Sequence, residues 1–170
     1  RQASDGCGGN IPVTPRKVQI LRLRTGHDPL ELSVNYSHSY MAAKSDGLIW
    51  AGTTEEESGF DDSTNPEGRN SIMEDFLKMI PGMSDAELVQ QTACLRPLSG
   101  DGLPIADRVL GWDNLYVSTG AGRKGSIGST GMAHAVSDLI ADGKAEVAGA
   151  EHLKLDLRSI HTCRRDAEDG

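Results

Sequence analysis

The residues best suited to chemistry are 120–125, which read Gly-Ala-Gly-Arg-Lys-Gly. This G-x-G-x-x-G spacing lies between a predicted strand at 115–118 and a predicted helix at 127–140, where backbone N–H groups often meet an anionic ligand. A dinucleotide fingerprint also needs a second parallel strand with an acidic residue about twenty positions further on. Asp142 and Glu146 follow the helix, but no apolar strand carries them. The pattern therefore predicts a ligand-facing turn and disfavours an NAD-binding module.

Two arginines are candidate ligand contacts. Arg96 ends an apolar segment, Cys-Leu-Arg-Pro at 94–97, and Arg123 lies inside the glycine-rich turn. A guanidinium at the edge of an apolar element suits bidentate binding of a carboxylate. The alternative is an ordinary salt bridge to one of the 25 acidic side chains. The five histidines lack metal-ligand spacing, so we predict no metal site.

The first third of the chain reads as an antiparallel sheet. Residues 17–24 alternate polar and apolar side chains, and residues 32–43 and 47–54 are further extended candidates. Asp46-Gly47 between the last two predicts a hairpin turn. Residues 55–70 are acidic and rich in turn formers, which predicts a solvated loop.

Two helices are expected beyond this sheet. Ser71 and Glu74 fit a capping box, which predicts a helix that ends before Pro81-Gly82. Ser84 and Glu87 offer a further start, while residues 88–95 fit a strand equally well, and residues 97–104 read as a loop. The last helix is expected to carry apolar residues on one side, namely Ile127, Met132, Val136, Leu139 and Ile140.

Bulk composition excludes several classes of partner. The chain has 170 residues and a net charge of −8 without a basic stripe, which disfavours nucleic acid and anionic membranes. No apolar run approaches the roughly 18 residues of a membrane span. Cys7, Cys94 and Cys163 are widely spaced, which indicates a reducing compartment. Without a signal peptide, we expect a cytoplasmic protein, and the initial Arg indicates a truncated N terminus.

Four segments, in order, resemble the flavin-dependent D-amino-acid-oxidase superfamily. They are residues 12–21, 52–61, 95–105 and 114–125. The resemblance covers roughly residues 11–142 and is greatest to the glycine oxidases of thiamine biosynthesis. It implies an α+β fold, in which an antiparallel sheet forms the substrate domain and the final strand and helix complete a Rossmann-like FAD domain.

The resemblance also implies a division of the chain. Residues 11–105 are expected to be part of the substrate domain, residues 106–150 the C-terminal part of the FAD domain, and residues 151–170 a polar tail. The family's phosphate-binding G-x-G-x-x-G belongs to an N-terminal FAD domain that is absent from this sequence. That missing domain is an expected partner, and this chain alone is expected to be inactive. Assembly into a homo-oligomer is left open.

Site residues carried over from the family are Arg96, Tyr40 and Arg123. Arg96 matches the arginine that binds the substrate carboxylate, Tyr40 matches a tyrosine on the sheet, and Arg123 matches a second polar contact. The turn beside the flavin corresponds to Gly120, Ala121, Gly122, Arg123, Lys124, Gly125, Ser126 and Ile127. Cys94 is not where relatives attach flavin, so FAD is expected to bind noncovalently.

The implied activity is oxidation of a small amino acid to its oxo acid, with release of ammonia and hydrogen peroxide. In this mechanism Arg96 holds the substrate carboxylate while the substrate Cα transfers a hydride to the flavin. Alternatives are a sarcosine oxidase, which acts on a secondary amine, and a D-amino-acid dehydrogenase that uses quinone in place of oxygen. A catalytically incomplete piece is the remaining alternative.

Overall fold

The computed structural model describes residues 11–27 and 31–155, in which strands outnumber helices. The strands are β1 (Val13–Arg24), β2 (Val34–Tyr36), β3 (Ser39–Ala43), β4 (Ile49–Gly52), β5 (Glu87–Ser99), β6 (Ile105–Arg108) and β7 (Tyr116–Thr119). The α-helices are α1 (Pro66–Met79) and α2 (Gly125–Asp142), and 3₁₀ helices span Pro81–Met83, Gly122–Lys124 and Ala150–Leu153. The fold class is α+β, which confirms the sequence-based expectation.

The chain divides into two compact units. We call Arg16–Leu95 the sheet unit, and Arg96–Gly170 together with Arg1–Pro15 the turn–helix unit. The assignment of substrate-binding and flavin-binding roles to residues 11–105 and 106–150 stays a prediction. Within the described residues, no helix has the length and apolarity needed to cross a bilayer.

A five-stranded sheet dominates the first half, in the order β2-β3-β4-β1-β5. β3 and β4 form an antiparallel hairpin in which Tyr40 pairs with Gly52. The predicted Asp46-Gly47 turn is confirmed: Lys44 N donates to Leu48 O at 3.0 Å, and Gly47 has a φ of 77°. A positive φ costs glycine little, so this dipeptide fixes the hairpin locally.

Helix α1 covers one face of this sheet. Leu21, Leu23 and Met41 from the strands pack in one buried cluster with Ile72 and Phe76 from α1. Because successive side chains of a strand point to opposite faces, the neighbours of these strand residues point away from α1.

The start of α1 differs from the prediction. The helix begins at Pro66, and Asn65 is its N-cap, with Oδ1 accepting a hydrogen bond from Gly68 N at 2.7 Å. The capping box predicted at Ser71 is therefore wrong, because Ser71 lies inside the helix. An Asn cap followed by Pro in the first helical position is a strong local start signal that outweighs the Ser-x-x-Glu pattern.

The segment after α1 forms a strand and not a second helix. After the 3₁₀ turn Pro81–Met83 the chain enters β5, which continues to Ser99. The helix start at Ser84 is wrong, and the loop predicted for 97–104 begins only after Ser99. β5 is a hydrogen-bonded neighbour of β1 in the sheet, and this long-range pairing decides between two local options that the sequence left equal.

The acidic loop is tied into the sheet unit and is not simply solvated. Lys17 in β1 is 1% exposed, and its Nζ lies 2.9 Å from Asp61 Oδ2 and 3.6 Å from Glu56 Oε2. The hydrogen bond to Asp61 raises the pKa of Lys17 despite the opposing effect of burial. Buried lysines are stable when paired in this way, so two of the loop's carboxylates are structural.

Gln19 extends this polar cluster towards α1. Its Nε2 donates to Glu56 Oε1 at 2.6 Å and to Asn65 Oδ1 at 3.0 Å, and its Oε1 accepts from Gln91 Nε2 at 2.7 Å. Burial raises the pKa of Glu56, but hydrogen bonds from Gln19, Thr54 and Asn65 outweigh it and lower that pKa overall. The loop and the first turn of α1 are thereby held against β1.

In the turn–helix unit, β6 and β7 pair antiparallel and α2 packs beside them. Ala106, Ala121, Met132 and Ala135 form its buried cluster. Ile127 is 88% exposed and Ile140 is 61% exposed, so these two residues do not share the buried side of Met132. Ile127 lies five residues before Met132, about 140° around the helix axis, and therefore points away from this cluster.

Candidate substrate and cofactor site

Arg96 is half-buried near the end of β5, immediately before Pro97. Across residues 11–27 and 31–155, its guanidinium makes no hydrogen bond or ion pair. The ordinary salt bridge considered from sequence is therefore absent among these residues. A partly desolvated cation is costly without a partner, so Arg96 is available to an anion from outside the described chain.

The strand that carries Arg96 is hydrogen-bonded to the glycine-rich turn. Leu98 forms a β-bridge with Ala121, and Ser99 N donates to Gly120 O at 3.2 Å. The structure thus brings together two segments, 96–99 and 120–122, that lie more than twenty residues apart. Both belong to the turn–helix unit.

Close packing explains why glycine is needed in this turn. Gly122 has a φ of 51°, and a Cβ atom at this position would lie 2.8 Å from Leu98 Cδ1. A larger residue would therefore be strained in its backbone and would crowd the strand that follows Arg96. Gly120 also has a positive φ, 78°, at the point where the chain reverses direction after β7.

The N terminus of α2 follows this turn without a side-chain cap. Neither Ala121, at the start of the 3₁₀ turn Gly122–Lys124, nor Lys124, at the start of α2, provides a capping hydrogen bond. Lys124 N donates to Ala121 O at 2.9 Å. The positive end of the helix dipole is thus left to other acceptors, which suits the negative edge of a ligand.

A cavity of about 650 Å³ borders the turn and α2. Its lining includes Gly120, Gly122, Gly125, Ser129 and Ala133. A volume of this size accommodates part of a cofactor-sized ligand.

Four of the predicted cofactor contacts lie at the exposed edge of this region. Arg123, Lys124, Ser126 and Ile127 are all exposed, and Ser126 O accepts a hydrogen bond from Ser129 Oγ at 2.9 Å. Their roles as cofactor contacts, and that of Arg123 at the substrate, stay predictions.

Tyr40 lies in the sheet unit. It is half-buried in β3, and its neighbour Met41 packs against α1, so Tyr40 points to the opposite face of the sheet. Tyr40 pairs with Gly52 of β4, and Gly52 pairs on its other side with Ile20 of β1. Its meeting with Arg96 in one site stays a prediction.

Sequence reasoning missed two polar groups of the sheet unit. Arg22 lies over Trp50, with its Cζ 4.4 Å from the ring centroid, and its buried Nε has no hydrogen-bond partner among the described residues. Thr53 Oγ1 is also buried and accepts or donates no hydrogen bond within the part of the chain that the structure describes. A charged residue between Leu21 and Leu23 in a strand was the available signal for Arg22, whereas no local signal distinguished Thr53.

Metal and disulfide chemistry have no support in the described part of the chain. Those residues contain no group of three or more potential metal ligands. Cys94 is exposed with a free thiol, while Cys7 and Cys163 lie outside the described residues.

Comparison with known proteins places these features in a family context. The family model for FAD dependent oxidoreductases matches residues 2–139. Glycine oxidase from Pseudomonas aeruginosa is 32% identical over 133 residues, which are 78% of this chain and 36% of that protein. The chain therefore spans only about a third of the length of this relative.

Solved structures share the fold. Iminodiacetate oxidase from Chelativorans sp. BNC1 superposes with a TM-score of 0.80 at 26% identity, covering 91% of this chain and 42% of that one. Glycine oxidase from Geobacillus kaustophilus gives a TM-score of 0.80 at 23% identity over 89% of this chain and 41% of that one, a likeness of fold alone. The resemblance inferred from the four sequence segments is confirmed.

Proposed function

Because the chain belongs to the family of FAD dependent oxidoreductases, we propose that it forms part of an amino-acid oxidase similar to glycine oxidase. Its sheet unit contributes to the substrate-binding domain, and its turn–helix unit contributes the final strand and helix of the flavin domain. The phosphate-binding motif for FAD comes from a segment outside this sequence. The substrate is a small amino acid, and the electron acceptor is oxygen.

The observation that carries this proposal is the unpaired guanidinium of Arg96. It is half-buried, lacks an acidic partner in the described chain, and lies two residues before a β-bridge to the glycine-rich turn. A substrate carboxylate supplies the missing anion, and a planar guanidinium binds it through two parallel hydrogen bonds. The β-bridge between Leu98 and Ala121 fixes the distance between Arg96 and the glycine-rich turn.

The residues of the turn fit a flavin. The uncapped N terminus of α2 offers N–H groups to the negatively charged edge of the ring, and the cavity beside the turn has room for part of it. When bound, FAD supplies the acceptor for the hydride leaving the substrate Cα. In this proposal FAD binds noncovalently.

The remaining site residues orient the substrate. Tyr40 presents its hydroxyl on the sheet face away from α1, where it donates a hydrogen bond to the substrate. Arg123 provides a second polar contact from within the turn. In such a mechanism, holding the substrate and the flavin in the correct orientation supplies most of the rate acceleration. No side-chain base is required.

Replacement of Arg96 in the full-length protein tests the proposal. We expect Arg96→Ala to lower kcat/KM for glycine about 10- to 100-fold, since hydrogen bonds between charged groups contribute about 1.5–3 kcal/mol. The yellow colour of bound FAD should remain. Arg24→Ala is the matched control, because Arg24 is exposed and forms a surface ion pair with Glu87.

Inhibition by acetate gives a second readout for the same variant. Acetate carries a carboxylate but no oxidisable amine, so its inhibition constant should rise in Arg96→Ala in parallel with the KM for glycine. If Arg96→Ala retained FAD and its glycine kinetics were unchanged, Arg96 would not be part of the substrate site.

A second candidate function is oxidation of a secondary amine. The similarity to iminodiacetate oxidase, whose named substrate is an N-substituted glycine, favours this class, which includes sarcosine. A D-amino-acid dehydrogenase that reduces quinone is a further member of the same family of reactions. Oxygen-electrode and quinone-reduction assays with glycine, sarcosine and D-alanine on the full-length protein separate the three.

Flavin binding by the 170-residue chain alone is a separate test. We expect this chain to be colourless and catalytically incomplete, because its sequence holds only the final turn and helix of the flavin site. If the isolated chain bound FAD, the division of the site between two segments would be wrong.

A further inference from the structure

β5 lies at one edge of the five-stranded sheet. In the order β2-β3-β4-β1-β5 it is the last strand, and among the described residues β1 is its neighbour in the sheet. We call residues 87–95, the part of β5 within the sheet unit, the β5 edge. In a strand with a single neighbour, the N–H and C=O groups of every second residue point outward. These outward groups of the β5 edge have no strand partner within residues 11–27 and 31–155.

The two edges of this sheet differ in length and in protection. β2, at the opposite edge, has 3 residues, whereas β5 has 13, about twice the length of a typical strand. Natural sheets prevent unwanted pairing at an edge by short strands, by lysine and by proline. The β5 edge reads Glu-Leu-Val-Gln-Gln-Thr-Ala-Cys-Leu and contains neither lysine nor proline. Its sequence therefore permits pairing with a further strand.

The side chains of the β5 edge do not screen its outward side. Leu88 and Val89 are 37% and 40% exposed, and adjacent residues of a strand point to opposite faces. An apolar side chain is therefore open on each face of the sheet. The one charged residue of this edge, Glu87, pairs with Arg24 of β1 at 2.9 Å. A long, uncharged and exposed edge of this kind attracts another strand unless it is covered.

The lengths of the relatives indicate where a covering strand comes from. This chain covers 36% of the glycine oxidase from Pseudomonas aeruginosa and 42% of iminodiacetate oxidase. More than half of each relative therefore lies outside the matched region, which is ample chain for another strand. A second copy of this chain is a poorer candidate, because a net charge of −8 makes two copies repel each other.

We propose that the β5 edge pairs with a further strand, from a segment of the full-length protein outside these 170 residues. The segment supplies backbone N–H and C=O groups to β5, and its side chains cover Leu88 and Val89 on the two faces of the sheet. The inference rests on the part of the proposed function that makes this sequence one segment of a longer protein. It depends neither on the substrate nor on the flavin.

Amide hydrogen exchange of the full-length protein, resolved to single residues by NMR, tests the pairing. An open edge would show fast and slow amides in alternation along residues 88–95. We expect all of these amides to exchange slowly, about 100-fold below the rate of an unstructured chain. β4, which has a neighbour on both sides, is the internal control for uniform protection. Alternation in β5 would overturn the proposal, and so would protection that falls on dilution, which would indicate a second copy.

Photochemical cross-linking identifies the partner strand. Val89→Cys, in full-length protein whose native cysteines are replaced by serine, is labelled with benzophenone maleimide and irradiated. We expect the label to link to a segment outside these 170 residues within the same molecule. Glu74→Cys, at an exposed position of α1, is the matched control and should not link to that segment. Links from position 89 only to this sequence, or only to a second copy, would contradict the assignment.

Proline at two adjacent positions tests the outward hydrogen bonds themselves. Of Val89 and Gln90, one N–H points to β1 and the other points outward. Relative to Val89→Ala and Gln90→Ala, which keep the N–H, each proline should lower the ratio of folded to unfolded full-length protein about 10- to 100-fold. If one proline behaved like its alanine counterpart, the edge would be open. Hydrogen exchange of the parent protein remains decisive if the prolines prevent folding, and neither measurement uses glycine or FAD, so the oxidase proposal stands or fails separately.

Discussion

Substitution of Gly122 tests the account of the glycine-rich turn most directly. An alanine would place a non-glycine residue at a φ of 51°, and its Cβ would lie 2.8 Å from Leu98 Cδ1. The left-handed backbone costs about 1–2 kcal/mol, and displacement of the Leu98 side chain from its rotamer adds about 0.5–1.5 kcal/mol. We therefore expect Gly122→Ala to destabilise the turn–helix unit by about 1.5–3.5 kcal/mol.

Gly125 in the same motif offers a matched control. Its backbone is already helical, with φ −53° and ψ −47°, and the nearest atom to an added Cβ is Ala121 Cβ at 3.9 Å. Because alanine is favoured over glycine in a helix by up to about 1 kcal/mol, Gly125→Ala should be neutral or stabilising. The two variants thus add the same methyl group three residues apart with opposite expected effects.

Urea unfolding followed by tryptophan fluorescence measures both changes. The sequence has two tryptophans, and in a Trp50→Phe background Trp112 reports on the turn–helix unit alone. The difference in the free energy of unfolding between the two variants should be at least about 1.5 kcal/mol at constant slope against urea. Equal effects of the two substitutions, or a neutral Gly122→Ala, would show that the turn does not require its left-handed glycine.

Two further predictions concern the polar cluster of the sheet unit. Asn65→Ala removes the N-cap of α1 and should cost about 1–2 kcal/mol, measured by thermal unfolding against Asn70→Ala, which changes an exposed position inside the same helix. Burial raises the pKa of Glu56, but hydrogen bonds from Gln19, Thr54 and Asn65 hold it below the usual 4.5. The carboxylate therefore stabilises the fold above pH 4.5, and this contribution is lost as the pH falls through the lowered folded-state pKa. Glu56→Gln should be less stable at pH 7 and should lose less stability on acidification, as measured by urea midpoints from pH 7 to pH 3; parallel pH profiles for the two proteins would contradict this.

Local patterns in the sequence were sufficient for several elements. The Asp46-Gly47 turn and the alternation in β1 predicted the hairpin and its neighbour, because turn geometry and strand periodicity are set by adjacent residues. The start of α1 was also encoded locally, by Asn65 and Pro66, although the competing pattern at Ser71 obscured it. These signals need no knowledge of distant contacts.

Other features depend on pairing across the chain. Residues 88–95 fitted helix and strand equally, and the neighbouring β1 made them a strand. The carboxylates of Glu56 and Asp61 looked like solvated charges, but Lys17, about 40 residues away in sequence, holds both. Whether an acidic side chain is exposed or paired is decided by what folds against it, which composition does not reveal.

For the candidate site, the sequence by itself determined the family, the candidates Arg96, Tyr40 and Arg123, and the turn at 120–125. These features lie in short segments that can be identified from their order and residue types, without knowledge of distant contacts. Only the tertiary structure decided that Arg96 has no acidic partner in the described chain and that its strand is bridged to the turn through Leu98 and Ala121. The same holds for the unsatisfied hydroxyl of Thr53. Pairing and burial are properties of groups brought together from distant parts of the chain, and so they follow from the fold and not from the local sequence.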